Sequence, residues 1–214
     1  MNEKIFSEKR KSLVKEMSDS GFLKSAEIKG AFLAVKREAF FPKEFENFAY
    51  SDEAFPIGFG QTISQPSTIA IMLEMLSPEK GMKILEIGAG SAYVIALLAQ
   101  IVGQQGKVFG IELLPELKSL AEKNLKEAQC KNFELLLGNG CNGWREKKPF
   151  DRILISAACS EIPKALSTQL KENGKIVAPI GGSFSQELVL FQEENGVLVE
   201  KQRKCCFVFV PLKC

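Results

Sequence analysis

Histidine is absent from this chain of 214 residues, which removes the imidazole base of Ser-His-Asp and Cys-His catalysis and every zinc site that needs a histidine ligand. The six cysteines (Cys130, Cys141, Cys159, Cys205, Cys206 and Cys214) contain no C-x-x-C pair, so no zinc ribbon, thioredoxin motif or disulfide framework is expected. All six read as free thiols, and no metal site is expected. No apolar run nears the roughly 20 residues that cross a bilayer. The opening stretch MNEKIFSEKRKSLVKEM has no apolar signal-peptide core, which gives the expectation of a cytoplasmic protein with no membrane partner. Basic and acidic side chains number 28 and 26, a net charge of +2, so the chain has no broad field for nucleic acid. The basic clusters at 9–11 and 201–204 read as solvated faces.

At 45% hydrophobic and 25% charged residues, the composition excludes disorder, collagen and coiled coil. One α/β domain of about 150 to 250 residues accounts for the whole length. Apolar residues at Ile5, Phe6, Leu13, Val14 and Met17 predict a first helix. Ser25 is placed to cap a second, through Ile28, Phe32, Leu33 and Val35. The Gly/Pro-punctuated stretch 55–60 reads as a loop or short hairpin, and Ile69 to Leu76 as a third helix. Strands and helices then alternate: strands at 83–87, 108–111, 133–137, 152–156 and 175–180, with helices at 93–102 and 116–128 and an amphipathic segment at 162–170. After that, strands at 187–192, 197–199 and 206–210 follow with no helix between them. The expectation is an α/β fold: a doubly wound, mostly parallel sheet with an antiparallel C-terminal edge and an N-terminal helical extension. A single domain, 1–214, is expected, in which 1–78 holds the N-terminal helices and the Gly/Pro-punctuated stretch and 79–214 the sheet core.

In ILEIGAGSAY (84–93) a strand runs into a glycine turn and then a helix, the context in which backbone approaches a nucleotide-type ligand. Glu112 ends the next strand, where an acid can accept both hydroxyls of a ribose, and Gly138-Asn139-Gly140 ends the third. Three strand ends thus point at one crevice, although Glu112 also suits a helix N-terminus and Asn139-Gly140 a plain turn. A dinucleotide fingerprint would need Gly or Ala at 93, where Tyr93 stands. The E-x-G-x-G pattern from Glu86 resembles motif I of the class I S-adenosylmethionine-dependent methyltransferases.

The string PIGFGQTISQP (56–66) resembles the signature of the protein-L-isoaspartate (D-aspartate) O-methyltransferase family. The likeness continues through AFLAVKREAFFP, VFGIELLPEL, GNGCNGW, PFDRILISAAC and FVPL. It implies the class I fold and methyl transfer from S-adenosylmethionine, leaving S-adenosylhomocysteine, to the free α-carboxylate of L-isoaspartyl residues in damaged proteins and peptides. It also implies Ser64 as the catalytic residue, with Thr62, Ile63, Ser64, Ala157 and Val210 at the substrate. Glu86, Gly88, Gly90, Ser91, Glu112, Leu113, Asn139 and Gly140 would lie at the cofactor. Turn formation and helix capping are the alternative for Thr62 and Ser64. A carboxylate with a pKa near 4 is already a nucleophile at neutral pH, so the reaction needs no histidine.

Three positions depart from the family pattern: Ala92 where a third glycine is usual, Asn139 where aspartate is usual, and Phe59. A degenerate cofactor-binding homologue with weak activity, or a methyltransferase for another acceptor, is the alternative. No N-P-P-Y motif and no Pro-Cys nucleophile argues for a nucleic-acid substrate. The expected partners are isoaspartyl proteins and peptides, met by a monomer.

Overall fold

The structure, a computed structural model, describes residues 3–214. Helix α1, Glu3–Asp19, buries Phe6, Arg10, Leu13, Val14 and Met17 along one helical stripe. Helix α2, Ala26–Ala34, follows Ser25, whose side chain makes no cap. The Ser25 hydroxyl instead donates to Glu74 Oε2 at 2.6 Å, because Glu74 also accepts the backbone N–H groups of Lys24 and Ser25. Two 3-10 segments, Arg37–Phe40 and Lys43–Phe48, lead to strands β1 (Phe55–Gly58) and β2 (Gln61–Ile63), which pair antiparallel. The stretch left open as a loop or hairpin is therefore a hairpin. Its turn residues Phe59 and Gly60 both have positive φ, 55° and 70°, matching the twist a two-residue connection requires.

Helix α3, Pro66–Leu76, begins with proline where no N–H is needed. Its next free N–H, that of Ser67, donates to Asp52 Oδ1 at 2.8 Å. The sheet core then unrolls as β3 (Lys83–Ile87), α4 (Tyr93–Val102), β4 (Lys107–Glu112), α5 (Pro115–Glu127), β5 (Phe133–Leu137), β6 (Phe150–Ile155), α6 (Lys164–Ser167), β7 (Leu170–Gly181), β8 (Gln186–Glu194) and β9 (Val197–Phe207). The sheet order is β5-β4-β3-β6-β7-β8-β9. The first five strands are parallel, and β8 and β9 are antiparallel. This is the expected fold class, antiparallel edge included.

The central strands are buried on both faces, which is why they read as continuous apolar runs. On β3, Ile84 packs with the helices α3, α4 and α5 and the N-terminal extension. Leu85 and Ile87 face the second layer, with Phe109, Phe150, Ile153 and Ile176. Among the described residues, no helix is long and apolar enough to cross a membrane.

Three local expectations are corrected. The amphipathic segment 162–170 is helical only over Lys164–Ser167, because the Gln169 carbonyl accepts the Phe150 N–H and Leu170 pairs with Phe150 in the sheet. The strands expected at 197–199 and 206–210 are instead one strand, β9, which ends at Phe207. Its charged centre, Lys201 to Lys204, lies on the open edge of the sheet, where charge discourages further pairing. The cysteines are not all free: Cys141 and Cys214 form a disulfide, while Cys130, Cys159, Cys205 and Cys206 remain thiols. The bonded pair is 73 residues apart in sequence, and only the folded sheet brings the two Cα atoms to 5.6 Å.

Candidate active site

Strand order reverses beside β3, since the chain moves outward through β4 and β5 and then returns to β6 on the other side. A crevice opens outside the carboxyl ends of the strands at such a switch point. Gly88 and Gly90, just past β3, have φ of 84° and 55°, a left-handed backbone that glycine takes without strain. The N–H groups of Gly88 and Ala89 donate to the Ile111 carbonyl at 2.9 and 3.2 Å, which locks the loop to the end of β4.

Glu112 completes that lock. Its Oε2 accepts the Gly90 N–H at 2.8 Å, and its Oε1 accepts those of Leu113 and Leu114 at 2.9 and 3.0 Å. The side chain serves the start of α5 and the glycine loop together, and a carboxylate retains lone pairs for further donors.

A cleft of about 90 Å³ lies over these strand ends. Gln61 and Thr62 of β2 form one wall, Gly88, Gly90, Glu112 and Leu113 the floor, Gly140, Ser156 and Ala157 the far side, and Val210 to Lys213 the cover. A second recess joins Thr62, Ile63 and Ser64 to Glu86, Gly88, Gly90, Ser91 and Ser156. A third runs outward from Thr62, Ser64 and Ser156 along Cys206 to Val210. Thr62 and Ser156 line all three, so the cleft is continuous with the outer groove through them.

Asn139 is not among the residues lining the cleft. Its Oδ1 accepts the Cys141 N–H at 2.8 Å and so caps the turn Gly140–Asn142. Gly140 reaches the cleft, and a Cβ there would stand 2.3 Å from Ile87 Cγ2.

Two buried ionisable side chains lie beside the second recess. Glu86 is fully buried, and its Oε1 accepts the Ser156 hydroxyl at 2.7 Å while Oε2 has no partner. Burial, with a smaller contribution from the Glu112 charge, pushes its carboxyl up to about 8 despite the Ser156 hydrogen bond. Arg37 has no exposed surface. It donates through Nε to the Ala49 carbonyl at 2.9 Å and through Nη2 to the Ser64 carbonyl at 2.7 Å. The guanidinium lies 5.1 Å from the Phe41 ring and 4.8 Å from the Tyr93 ring, and burial lowers its pKa to about 10. A cation is thus held directly behind the Ser64 backbone.

Residues 8–213 match the family described as Protein-L-isoaspartate(D-aspartate) O-methyltransferase. The chain belongs to this family. A protein-L-isoaspartate O-methyltransferase of Methanopyrus kandleri is 39% identical over 212 residues, covering 99% of this chain and 94% of the relative. That of Methanococcus aeolicus is 41% identical over 204 residues, covering 95% and 94%. A solved protein-L-isoaspartate O-methyltransferase superposes with a TM-score of 0.87 at 31% identity, covering 96% of this chain and 66% of its own. A Plasmodium falciparum structure described as a protein of this kind in complex with S-adenosyl-L-homocysteine gives 0.84 at 26% identity, covering 95% and 98%.

Against the isoaspartate methyltransferase pattern, Ala92 is informative. It takes the left-handed conformation, φ 68° and ψ 20°, with its side chain fully buried. The backbone the missing glycine would favour is therefore kept, and the alanine methyl is accommodated at a cost in strain.

The site fits S-adenosylmethionine on its own evidence. An acid stands at the end of β4, glycines open the backbone beneath it, and a buried carboxyl oxygen without a partner, Glu86 Oε2, sits in the adjoining recess. Sequence reasoning missed Arg37 and Lys213; the family likeness placed the Ser156–Cys159 segment and residues 208–212 near the substrate, and Ser156, Pro211 and Leu212 also line the cleft over the strand ends. The KREAFFP stretch contains Arg37, but nothing local in it points toward Ser64.

Proposed function

We infer that this chain is a repair methyltransferase that moves the methyl group of S-adenosylmethionine to the free α-carboxylate of L-isoaspartyl residues in damaged proteins and peptides. The observation that carries the reading is the continuity of the cleft at Glu112 with the groove at Ser64 through Thr62 and Ser156. One ligand in the cleft and another in the groove meet at those two hydroxyl-bearing residues.

The bound cofactor supplies an electrophilic methyl group on a sulfonium centre. Glu112 accepts the ribose hydroxyls while keeping its backbone donors, and Gly88, Gly90, Leu113 and Gly140 shape the cleft for the nucleoside. Glu86 and Ser91 hold the end of the cofactor nearest the second recess. Asn139 acts through its turn, which positions Gly140. Ser64, whose hydroxyl has no protein partner among the described residues, donates to the substrate carboxylate, and Thr62, Ile63, Ala157 and Val210 border the peptide. No residue has to remove a proton from a carboxylate with a pKa near 4. The work of the protein is alignment and exclusion of water.

The test is methyl transfer from labelled S-adenosylmethionine to paired synthetic peptides that differ only in isoaspartyl or aspartyl linkage, with S-adenosylhomocysteine affinity measured on the same sample. Base-labile ester on the isoaspartyl peptide alone is expected. Cofactor binding without transfer to either peptide would overturn the assignment of the acceptor.

A further inference from the structure

Cys141 and Cys214 lie outside the chemistry above, yet their bond joins two walls of the cleft. Cys141 directly follows Gly140, which lines the cleft, and its N–H is fixed by Asn139 Oδ1 at 2.8 Å. Cys214 directly follows the cover, residues 210–213. The cover is held by few other bonds: Ala158 N–H donates to the Val210 carbonyl at 2.8 Å, and Leu212 N–H to the Ala158 carbonyl at 2.7 Å. Beyond Leu212, residues 213 and 214 make no backbone hydrogen bond among the described residues.

The cleft over the strand ends, about 90 Å³, continues through Thr62 and Ser156 into the outer groove of about 330 Å³. Val210 lines both spaces, so the cover stands beside the passage between them. The strand ends and glycine loop are locked into the sheet, as shown above, whereas the wall formed by residues 210–213 has its two backbone hydrogen bonds to a single residue, Ala158. The disulfide restrains that wall.

We propose that Cys141 and Cys214 form a thiol-disulfide modification site, acted on by a low-molecular-weight disulfide such as glutathione disulfide, that latches the cover and governs exchange of the cofactor. This rests on the reading of the cleft as the cofactor site. In the oxidising direction, the thiolate of one cysteine attacks the oxidant and expels one thiolate, leaving a mixed disulfide. The thiolate of the other cysteine displaces the second. The Cys141–Cys214 bond forms, the oxidant's S–S bond is broken, two electrons reduce the oxidant, and the two cysteine protons end on the two expelled thiols.

The test uses a full chain in which the exposed pair is removed by Cys205→Ser and Cys206→Ser, so that oxidation reports on the latch. The protein is prepared reduced by dithiothreitol or oxidised by glutathione disulfide, with thiol titration and mass measurement of the bonded peptides. Association and dissociation rates of labelled S-adenosylhomocysteine are then measured, together with amide hydrogen exchange over residues 208–213 without ligand. Oxidised protein is expected to lose two thiols, to protect the 208–213 amides, and to capture and release the ligand at least tenfold more slowly than reduced protein. Cys214→Ser is expected to exchange rapidly under both conditions. Equal rates in the two redox states, or failure of the 141–214 bond to form, would overturn the latch while leaving the cofactor site intact. Failure of every form to bind S-adenosylhomocysteine would overturn the site and the latch with it.

Discussion

Single residues in this site carry more than one duty, which sets how their variants should behave. Glu112 accepts three backbone N–H groups before any ligand arrives. Glu112→Ala should weaken S-adenosylhomocysteine binding by about 1 to 3 kcal/mol, as expected for losing hydrogen bonds to a charged group. Calorimetry that returned an unchanged affinity would remove Glu112 from the cofactor site. Ala92 makes the opposite case. Its left-handed backbone costs an L-residue roughly 1 to 2 kcal/mol, part of which glycine would return as lost unfolded-state freedom. Ala92→Gly should therefore stabilise the protein by up to about 1 kcal/mol in denaturant titrations, and a destabilised variant would mean that the buried methyl contributes more than the strain costs.

At the level of elements, the strands and the glycine loop were legible because their signals are local. Apolar runs bounded by turns mark β3, β4 and β6, and glycines at 88 and 90 mark the turn that needs them. The join between elements was not legible in this way. Arg37 sits in a 3-10 segment, but its guanidinium reaches 27 residues along the chain to the Ser64 carbonyl, between β2 and α3. The Cys141–Cys214 bond closes over an even longer separation. Such contacts depend on how the hairpin and the chain after β9 lie over the sheet, which no periodicity encodes. Removing the cation while keeping apolar bulk tests this joint: Arg37→Met should raise the KM for an isoaspartyl peptide on the order of tenfold, corresponding to about 1.4 kcal/mol, and leave cofactor affinity unchanged. Arg37→Lys should restore part of the loss. Equal losses in kcat and cofactor affinity would instead indicate a general loosening of the fold.

For the molecule as a whole, the buried Glu86 carboxyl links stability to pH. Its folded-state value is raised from 4.5 to about 8, with burial as the main cause. Between those values the unfolded chain has released a proton that the folded chain keeps, so folding stability contributed by Glu86 is full below 4.5 and falls as pH rises toward 8. The slope from one such group is at most about 1.4 kcal/mol per pH unit. Denaturation of ligand-free protein at pH 5 and pH 8 should show that decline, and Glu86→Gln should flatten it. A wild-type profile no steeper than that of the variant would mean that Glu86 stays ionised in the fold. The placement of the cleft walls has a consequence for synthesis. One wall comes from residues 61 and 62 and its cover from 210–213, so a growing polypeptide passes the first long before it reaches the second. A chain halted anywhere in the intervening sheet owns the glycine loop and the acid but no roof above them. A product halted before residue 210 has no means to enclose a ligand in the cleft.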